Sequence, residues 1–282
     1  MLKLKNIYKD YYDFEFELKD ISFELEEGYI MGLIGPNGAG KTTIINLIMN
    51  LIKPSKGEIE IFGRENTLEN NEYIKDNIGF VFDKSIYPEY LNLDKLEFIY
   101  KNIYSNFDKE YFDELVERFK ISKLKNLKDQ SKGNLMRTQI VLALSHNAKF
   151  IVMDEPSQGL DPVVRRELLK VLREYREKTN AAVLFSTHIT EDLEQIADYI
   201  TFINKGELIF TTDIETLRDK YKILKTTSQN KTNYNLQDFI GFEENEFYFS
   251  GLIEKQNIKS IVEGDVIRDA TIQDIMYYYY GK

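Results

Sequence analysis

Cysteine and tryptophan do not occur in this chain of 282 residues, and histidine occurs only twice. Without cysteine there is no disulfide framework, no thiol nucleophile and no thiolate metal cluster. Such a composition fits a cytosolic protein. Aromatic anchors for packing or partner contact fall to 19 tyrosines and 18 phenylalanines. No run approaches the roughly 18 consecutive apolar residues of a bilayer span. The opening Met1–Ile7 alternates like a strand and lacks the apolar centre of a secretion signal. An excess of basic residues is missing too: the formal net charge is −10 and the pI is near 5.0. Non-specific attachment to nucleic acid or to an anionic membrane surface is therefore disfavoured, and no nucleic-acid partner is expected. What the chain does have is a hydrophobic fraction of 43%. That is ample for a core and argues against disorder, and the length suits one large domain or two modest ones.

The segment Gly35-Pro36-Asn37-Gly38-Ala39-Gly40-Lys41-Thr42 fits the phosphate-loop pattern G-x-x-x-x-G-K-[ST]. Its context agrees. Ile30–Ile34 reads as a buried strand entering the loop, and Thr43 opens a helix running to about Leu51. Backbone N–H groups of Asn37, Gly38, Gly40 and the helix start would cradle a nucleoside triphosphate. Lys41 would reach the β- and γ-phosphates, the Thr42 hydroxyl would hold Mg²⁺, and Thr43 stands beside it.

Such a loop needs a carboxylate for the metal and a group that activates water. Phe150–Met153 is an apolar strand ending in Asp154-Glu155. Asp154 is placed to face Thr42 and the metal, and Glu155 to polarise the attacking water. His188 follows another apolar strand as Ser186-Thr187-His188, where an imidazole could bond the γ-phosphate and the water. The other histidine, His146, lies in an apolar helix end and reads as structural.

Further strands are expected at 58–63, 78–82 and 181–186, with a hairpin at 199–203 and 207–210. Helices are expected at 163–178 and 190–197. From Asn92, a helix N-cap, to about 145 the period becomes helical, with Leu115, Val116, Phe119 and Leu124 on a second helix. Strand–helix alternation around the loop predicts an α/β fold. Its parts are a P-loop NTPase core with a mainly parallel sheet, an antiparallel β subdomain and a helical subdomain at about 85–145. A small C-terminal α+β extension follows. The tail carries a helix at 214–221, strands at 221–226 and 246–249, and a last helix started by Thr271 and Asp274. The run Tyr277–Tyr280 reads as packing against the tail strands, or as a partner surface.

These motifs, in this order, resemble the ATP-binding subunits of ABC transporters over residues 2–212. Gly35–Thr42 matches Walker A, Phe150–Glu155 Walker B with its catalytic glutamate, Ser157–Asp161 the D-loop, and His188 the switch histidine. Tyr12, or Tyr11 if the alignment slips by one, stands where the family stacks an aromatic on adenine. The family signature Leu-Ser-Gly-Gly-Gln becomes Gln130-Ser131-Lys132-Gly133-Asn134, keeping Ser131 and Gly133. In the family that serine and glycine bind the γ-phosphate held by the opposite subunit. A Ser-Lys-Gly signature looks like the bacitracin- and Ytr-type exporters. The family glutamine after the strand at 78–82 is replaced by Asp83. A carboxylate there can still ligate Mg²⁺, but it cannot donate an amide hydrogen bond and it repels a γ-phosphate.

The resemblance implies an ATP-hydrolysing subunit, with ATP and Mg²⁺ as cofactors, lying peripherally on the cytoplasmic face of the cell membrane. It would pair head to tail as a homodimer, or as a heterodimer with a similar ATPase. It would energise separate integral membrane permease subunits that export a peptide, antibiotic or lipid-like substrate. Lys84–Leu91 is a candidate docking surface. Residues 1–214 would form the ATP-binding domain and 215–282 an accessory element that braces the pair. The alternatives are a non-transport ATPase of the same fold acting on ribosome or DNA, and a regulatory protein that binds ATP without turnover.

Overall fold

Strand ends decide where the functional groups lie. The computed structural model describes residues 1–10, 16–259 and 261–280. Its strands in the first part of the chain are β1 (Leu2–Asp10), β2 (Glu17–Leu25), β3 (Ile30–Ile34), β4 (Lys56–Ile61), β5 (Arg64–Glu65) and β6 (Ile78–Val81). They continue with β7 (Phe150–Asp154), β8 (Ala182–Ser186), β9 (Tyr199–Asn204) and β10 (Glu207–Asp213). The tail adds β11 (Tyr221–Thr227), β12 (Phe239–Glu244), β13 (Tyr248–Glu254) and β14 (Val266–Asp269). The helices are α1 (Lys41–Ile48), α2 (Asn71–Asp76), α3 (Leu93–Ile103), α4 (Lys109–Arg118) and α5 (Lys132–Leu144). After them come α6 (Pro162–Thr179), α7 (Thr190–Ile196), α8 (Ile214–Lys220) and α9 (Ile272–Tyr280).

Strands β1 to β10 form one sheet in the order β5-β4-β1-β2-β10-β9-β3-β8-β7-β6. The run β9-β3-β8-β7-β6 is parallel, whereas β5-β4-β1-β2 is antiparallel. The sequence separates the two regimes. All five positions of β3, β7 and β8 are buried, as expected where helices cover both faces of a parallel sheet. Along β2 the buried positions are Leu18, Ile21, Phe23 and Leu25, so one face is covered.

Alternation along the parallel strands divides the interior in two. Phe150 and Val152 turn towards α1, joining Ile44, Ile45, Leu47 and Ile48. Ile151 and Met153 turn towards the helices of the opposite face, joining Ile140, Leu168 and Leu172. Helix α1 stops at Ile48 instead of continuing to Leu51. Asn50 adopts a left-handed conformation (φ 54°), and the Asn66 amide donates to the Ile48 carbonyl at 2.8 Å, satisfying a helix-end acceptor.

The helical region expected to about 145 contains α3, α4 and α5. The Asn92 side chain caps α3 by accepting from the Lys95 N–H at 3.0 Å. Leu124 does not share the buried face of α4: it lies past the helix end and is 78% exposed. Two ion pairs from Arg118 of α4 to Glu167 and Glu174 of α6, each 2.6 Å, fasten this region to the nucleotide-binding body. Arg165 of α6 pairs with Asp192 of α7, a fully buried carboxylate.

The tail sheet is antiparallel, β12-β13-β11-β14. The strand expected at 246–249 begins only at Tyr248. Asn245 Oδ1 accepts from the N–H groups of Phe247 and Tyr248, turning the chain there. The expected start of α9 is present: Thr271 Oγ1 accepts from the Asp274 N–H, and Asp274 Oδ2 from the Thr271 N–H. Ile272, Ile275 and Tyr278 of α9 are buried in the same core as α7. In the tyrosine run Tyr278 is buried and Tyr279 packs on Phe202, whereas Tyr277 is 60% exposed.

His146 is buried and stacks on Tyr104 at 4.0 Å between ring centres. Its ring nitrogens face the carbonyl oxygens of Ile78 (3.0 Å) and Leu142 (3.2 Å). Burial pushes its pKa below the usual 6.5, against the pull of those carbonyls. The unfolded chain therefore takes up this proton first as pH falls, so stability should decline below about pH 6.5 until the folded group itself titrates. Urea midpoints at about pH 7.5 and about 5.5 should differ more in the native protein than in His146→Phe. Equal differences would remove His146 as the cause.

Candidate nucleotide site

Because β3, β6, β7 and β8 are parallel neighbours, their carboxyl ends open on one edge of the sheet. In open α/β sheets that edge is where ligands bind. Four loops leave it here: the phosphate loop after β3, Asp83 after β6, Asp154-Glu155 at the end of β7, and His188 after β8. They surround a cavity of about 350 Å³. Its lining includes Asn37, Gly38, Gly40, Lys41, Thr42, Thr43, Asp83, Asp154, Glu155 and His188. All ten are residues that sequence reasoning marked for the site.

The phosphate loop depends on glycine at two close approaches. A Cβ at Gly35 (φ 156°) would meet the Ile203 carbonyl oxygen at 2.2 Å. At Gly40, which precedes α1 with φ 113°, it would meet the Leu18 side chain at 2.5 Å. Lys41 is 6% exposed. Its ammonium donates to the carbonyls of Gly35 (2.7 Å) and Pro36 (3.3 Å) and lies 3.9 Å from Glu155 Oε1. Burial lowers the Lys41 pKa, opposed by the charges of Glu155 and Asp154.

Asp154 is also 6% exposed. Thr42 Oγ1 donates to its Oδ2 at 3.0 Å and Ser186 Oγ to its Oδ1 at 2.6 Å. Ser186 thus joins β8 to the end of β7. Glu155 stands in a left-handed conformation (φ 51°), and its N–H donates to the Ser186 carbonyl at 3.1 Å. That turn aims the side chain back over the cavity. His188 Nδ1 lies 2.7 Å from Glu155 Oε2, and the His188 N–H donates to the same oxygen at 3.3 Å.

Asp83 is fixed from α5. Gln139 accepts from the Phe82 N–H at 3.3 Å and donates to the Phe82 carbonyl at 3.1 Å. Ser131 and Gly133 do not line the cavity. Ser131 caps α5, accepting from the Asn134 N–H at 3.3 Å, and a Cβ at Gly133 would sit 3.2 Å from the Gly159 carbonyl oxygen. Tyr12 and Tyr11 lie outside the described residues. Two lining residues were not singled out in the sequence, Phe16 and Gln158. The signal for Gln158 was its place in the D-loop just after Glu155. Phe16 carried only its position as an aromatic opening β2. A second cavity, about 410 Å³, lies between Pro36 and His188 on one side and Met276 and Tyr277 of α9 on the other.

A family profile described as ABC transporter matches residues 18–158. The bacitracin transport ATP-binding protein BcrA of Bacillus licheniformis is 30% identical over 279 residues, 93% of this chain and 90% of that protein. The chain belongs to the ABC transporter ATP-binding proteins. The ABC transporter ATP-binding protein YtrB of Bacillus subtilis is 30% identical over 72% of this chain and 69% of its own length. An uncharacterized ABC transporter ATP-binding protein of the same organism, YdbJ, is 34% identical over 68% of this chain, a match that spans 62% of the relative. An AAA-domain profile also covers residues 127–191. Among solved structures, an ATP-binding subunit of an ABC transporter superposes with a TM-score of 0.71 at 26% identity, covering 77% of this chain and 92% of that one. A dimeric ATP-binding cassette in a post-hydrolysis state, bound to ADP and Pi, gives a TM-score of 0.69 at 26% identity, covering 76% and 99%. The protein is thus an ABC-type ATPase whose α/β fold is the expected one, and no helix among the described residues is long and apolar enough to cross a membrane.

The contact of Gly35 with a backbone oxygen cannot be relieved by a side-chain rotation. Gly35→Ala should therefore lower folding stability by about 2 kcal/mol in urea titration and weaken binding of a fluorescent ATP analogue at least about tenfold. Unchanged binding would show that the loop can be rebuilt around a methyl group.

Proposed function

We propose that this ATPase is one of a head-to-tail pair that energises a separate integral membrane permease, working on the cytoplasmic face of the membrane. The observation that carries the catalytic part is Glu155, held by His188 and facing Lys41 across the cavity. In this reading the phosphate-loop N–H groups and Lys41 hold the β- and γ-phosphates. Glu155 takes the proton of the water that attacks the γ-phosphorus, ADP departs as the leaving group, and His188 keeps the carboxylate oriented. Tyr12 would stack on adenine.

The donor set for a metal is all oxygen: the Thr42 hydroxyl and the carboxylates of Asp154 and Asp83. No group of three or more His, Cys, Asp or Glu side chains suited to a metal occurs among the described residues. The hydroxyl and carboxylate donors suit Mg²⁺, which is usually held by one or two carboxylates together with phosphate and water. Bound there, Mg²⁺ would neutralise charge on the phosphates.

Ser131 and Gly133 sit at the start of α5, away from the cavity of their own chain. A helix N-terminus of this kind suits an anion held by a second subunit, a homodimer or heterodimer partner. The dimeric cassette among the similar structures supports such a pair. For the permease, large apolar side chains stand exposed at Ile86, Tyr90, Phe98 and Ile103, on α3 and the segment before it. Within Lys84–Leu91 Tyr90 is 69% exposed, whereas Tyr87 is packed: its hydroxyl lies 2.6 Å from that of Tyr100, and burial pushes its pKa up to about 12. We read the action as export of a peptide, antibiotic or lipid-like cargo; the one relative here named for a substrate, BcrA, is named for bacitracin transport. Residues 1–214 form the ATP-binding domain in this reading, its helical part at about 85–145, and residues 215–282 an accessory element that braces the pair.

Glu155→Gln should lower ATP hydrolysis at least about 100-fold while leaving ATP binding intact. Hydrolysis near the native rate would remove Glu155 as the base. Affinity capture from detergent-solubilised membranes should bring down a stoichiometric multi-span protein. Ribosomal or DNA-associated proteins alone would overturn the transport reading.

A further inference from the structure

Two of the departures from the family pattern, Asp83 after β6 and Lys132 in the signature, meet in space. Lys132 Nζ lies 3.9 Å from Asp83 Oδ1 and donates to Gln158 Oε1 at 2.7 Å. Asp83 Oδ1 is buried and has no hydrogen-bond partner. The lysine stem runs over Gly159, where a Cβ would come within 3.5 Å of Lys132 Cδ. One side chain therefore gathers three segments: the loop after β6, the start of α5 and the loop after Glu155.

Asp83 borders both the nucleotide cavity and a further cleft, distinct from the one beside α9, that is lined by Lys132 and Gln139. A carboxylate at that border opposes the entry of a triphosphate unless a cation answers it. We infer that Lys132 is a positioning residue for ATP: it supplies the counter-charge that lets Asp83 border the phosphates, and through Gln158 it fixes Asp83 relative to the loop after Glu155. The inference rests on the reading of the cavity as a nucleoside triphosphate site. It makes these two sequence departures one feature.

The test is a double-mutant cycle read as the Kd of a fluorescent ATP analogue with Mg²⁺, at about 0.05 M and about 0.5 M salt. Lys132→Met keeps the stem over Gly159 and removes the charge. It should raise Kd about 2- to 5-fold at low salt and by less than about twofold at high salt, the size and screening expected of a partly exposed pair. Adding Asp83→Asn, which removes the charge but keeps an amide oxygen for the metal, should restore the Kd to within about twofold of native, and Lys132→Arg should retain native binding. In the nucleotide-free protein Lys132→Met should lower the melting temperature by about 1–2 °C only while Asp83 is present. Additive effects of the two substitutions, or a Kd change that salt does not alter, would overturn the pairing. Failure of the native protein to bind the analogue would instead overturn the nucleotide reading of the cavity, and the inference with it.

Discussion

Asp154 is a carboxylate almost removed from water, and the nucleotide edge is arranged around its satisfaction. A buried carboxylate without partners is costly, by several kcal/mol in real proteins. Here one oxygen accepts from Ser186 at the end of β8 and the other from Thr42 at the start of α1. Those two hydroxyls fasten the ends of β7 and β8 to the phosphate-loop helix. The same Ser186 carbonyl receives the Glu155 N–H, so the turn that aims Glu155 is set by the residue that solvates Asp154. Replacing either hydroxyl by an apolar group would disturb a charge, a strand end and a catalytic turn together.

Around that edge the sheet acts as a divider. One face carries α1 and the antiparallel strands, the other α3 to α7 and the tail. The helical region is joined to the rest by polar contacts that sequence periodicity does not show: Arg118 to Glu167 and Glu174, Gln139 to the backbone of Phe82, and Lys132 to Gln158. Partly exposed pairs of this kind contribute little to stability. Their importance is directional: Arg118 ties α4 to α6, while Gln139 and Lys132 tie α5 to the loops after β6 and after Glu155.

Much of this was legible in the chain. The phosphate loop, Asp154-Glu155 and His188 are short, ordered motifs, and the five-residue apolar strands that hold them leave little freedom of placement. Asn92, Thr271 and Asp274 were readable because capping chemistry is local. What was not legible has physical causes as well. Helix α5 lies within the stretch expected to be helical, but its bounds were not drawn, because Ile140–Leu144 is buried all round and has no amphipathic period. Leu124 fell into step with the apolar rhythm of α4 although that helix had already ended. Strands β12 and β14 are short and partly exposed; β12 pairs with its neighbour β13 as a hairpin, whereas β14 returns to β11 from a distant part of the chain. The contact between Asp83 and Lys132 spans a similar distance, and no spacing rule in one sequence brings them together.

Helix α9 gives the tail a mechanical relation to the cleavage site. It lies against α7, the helix that follows His188, and its Ile272 N–H donates to Glu194 of α7 at 3.0 Å. Arg218 of α8 reaches the Glu194 carbonyl from the other side at 3.3 Å. A common core joins α7, α9 and the tail strands. Any displacement of the His188 turn would therefore be felt by the tail, because α7 and α9 share that core and are tied through Glu194.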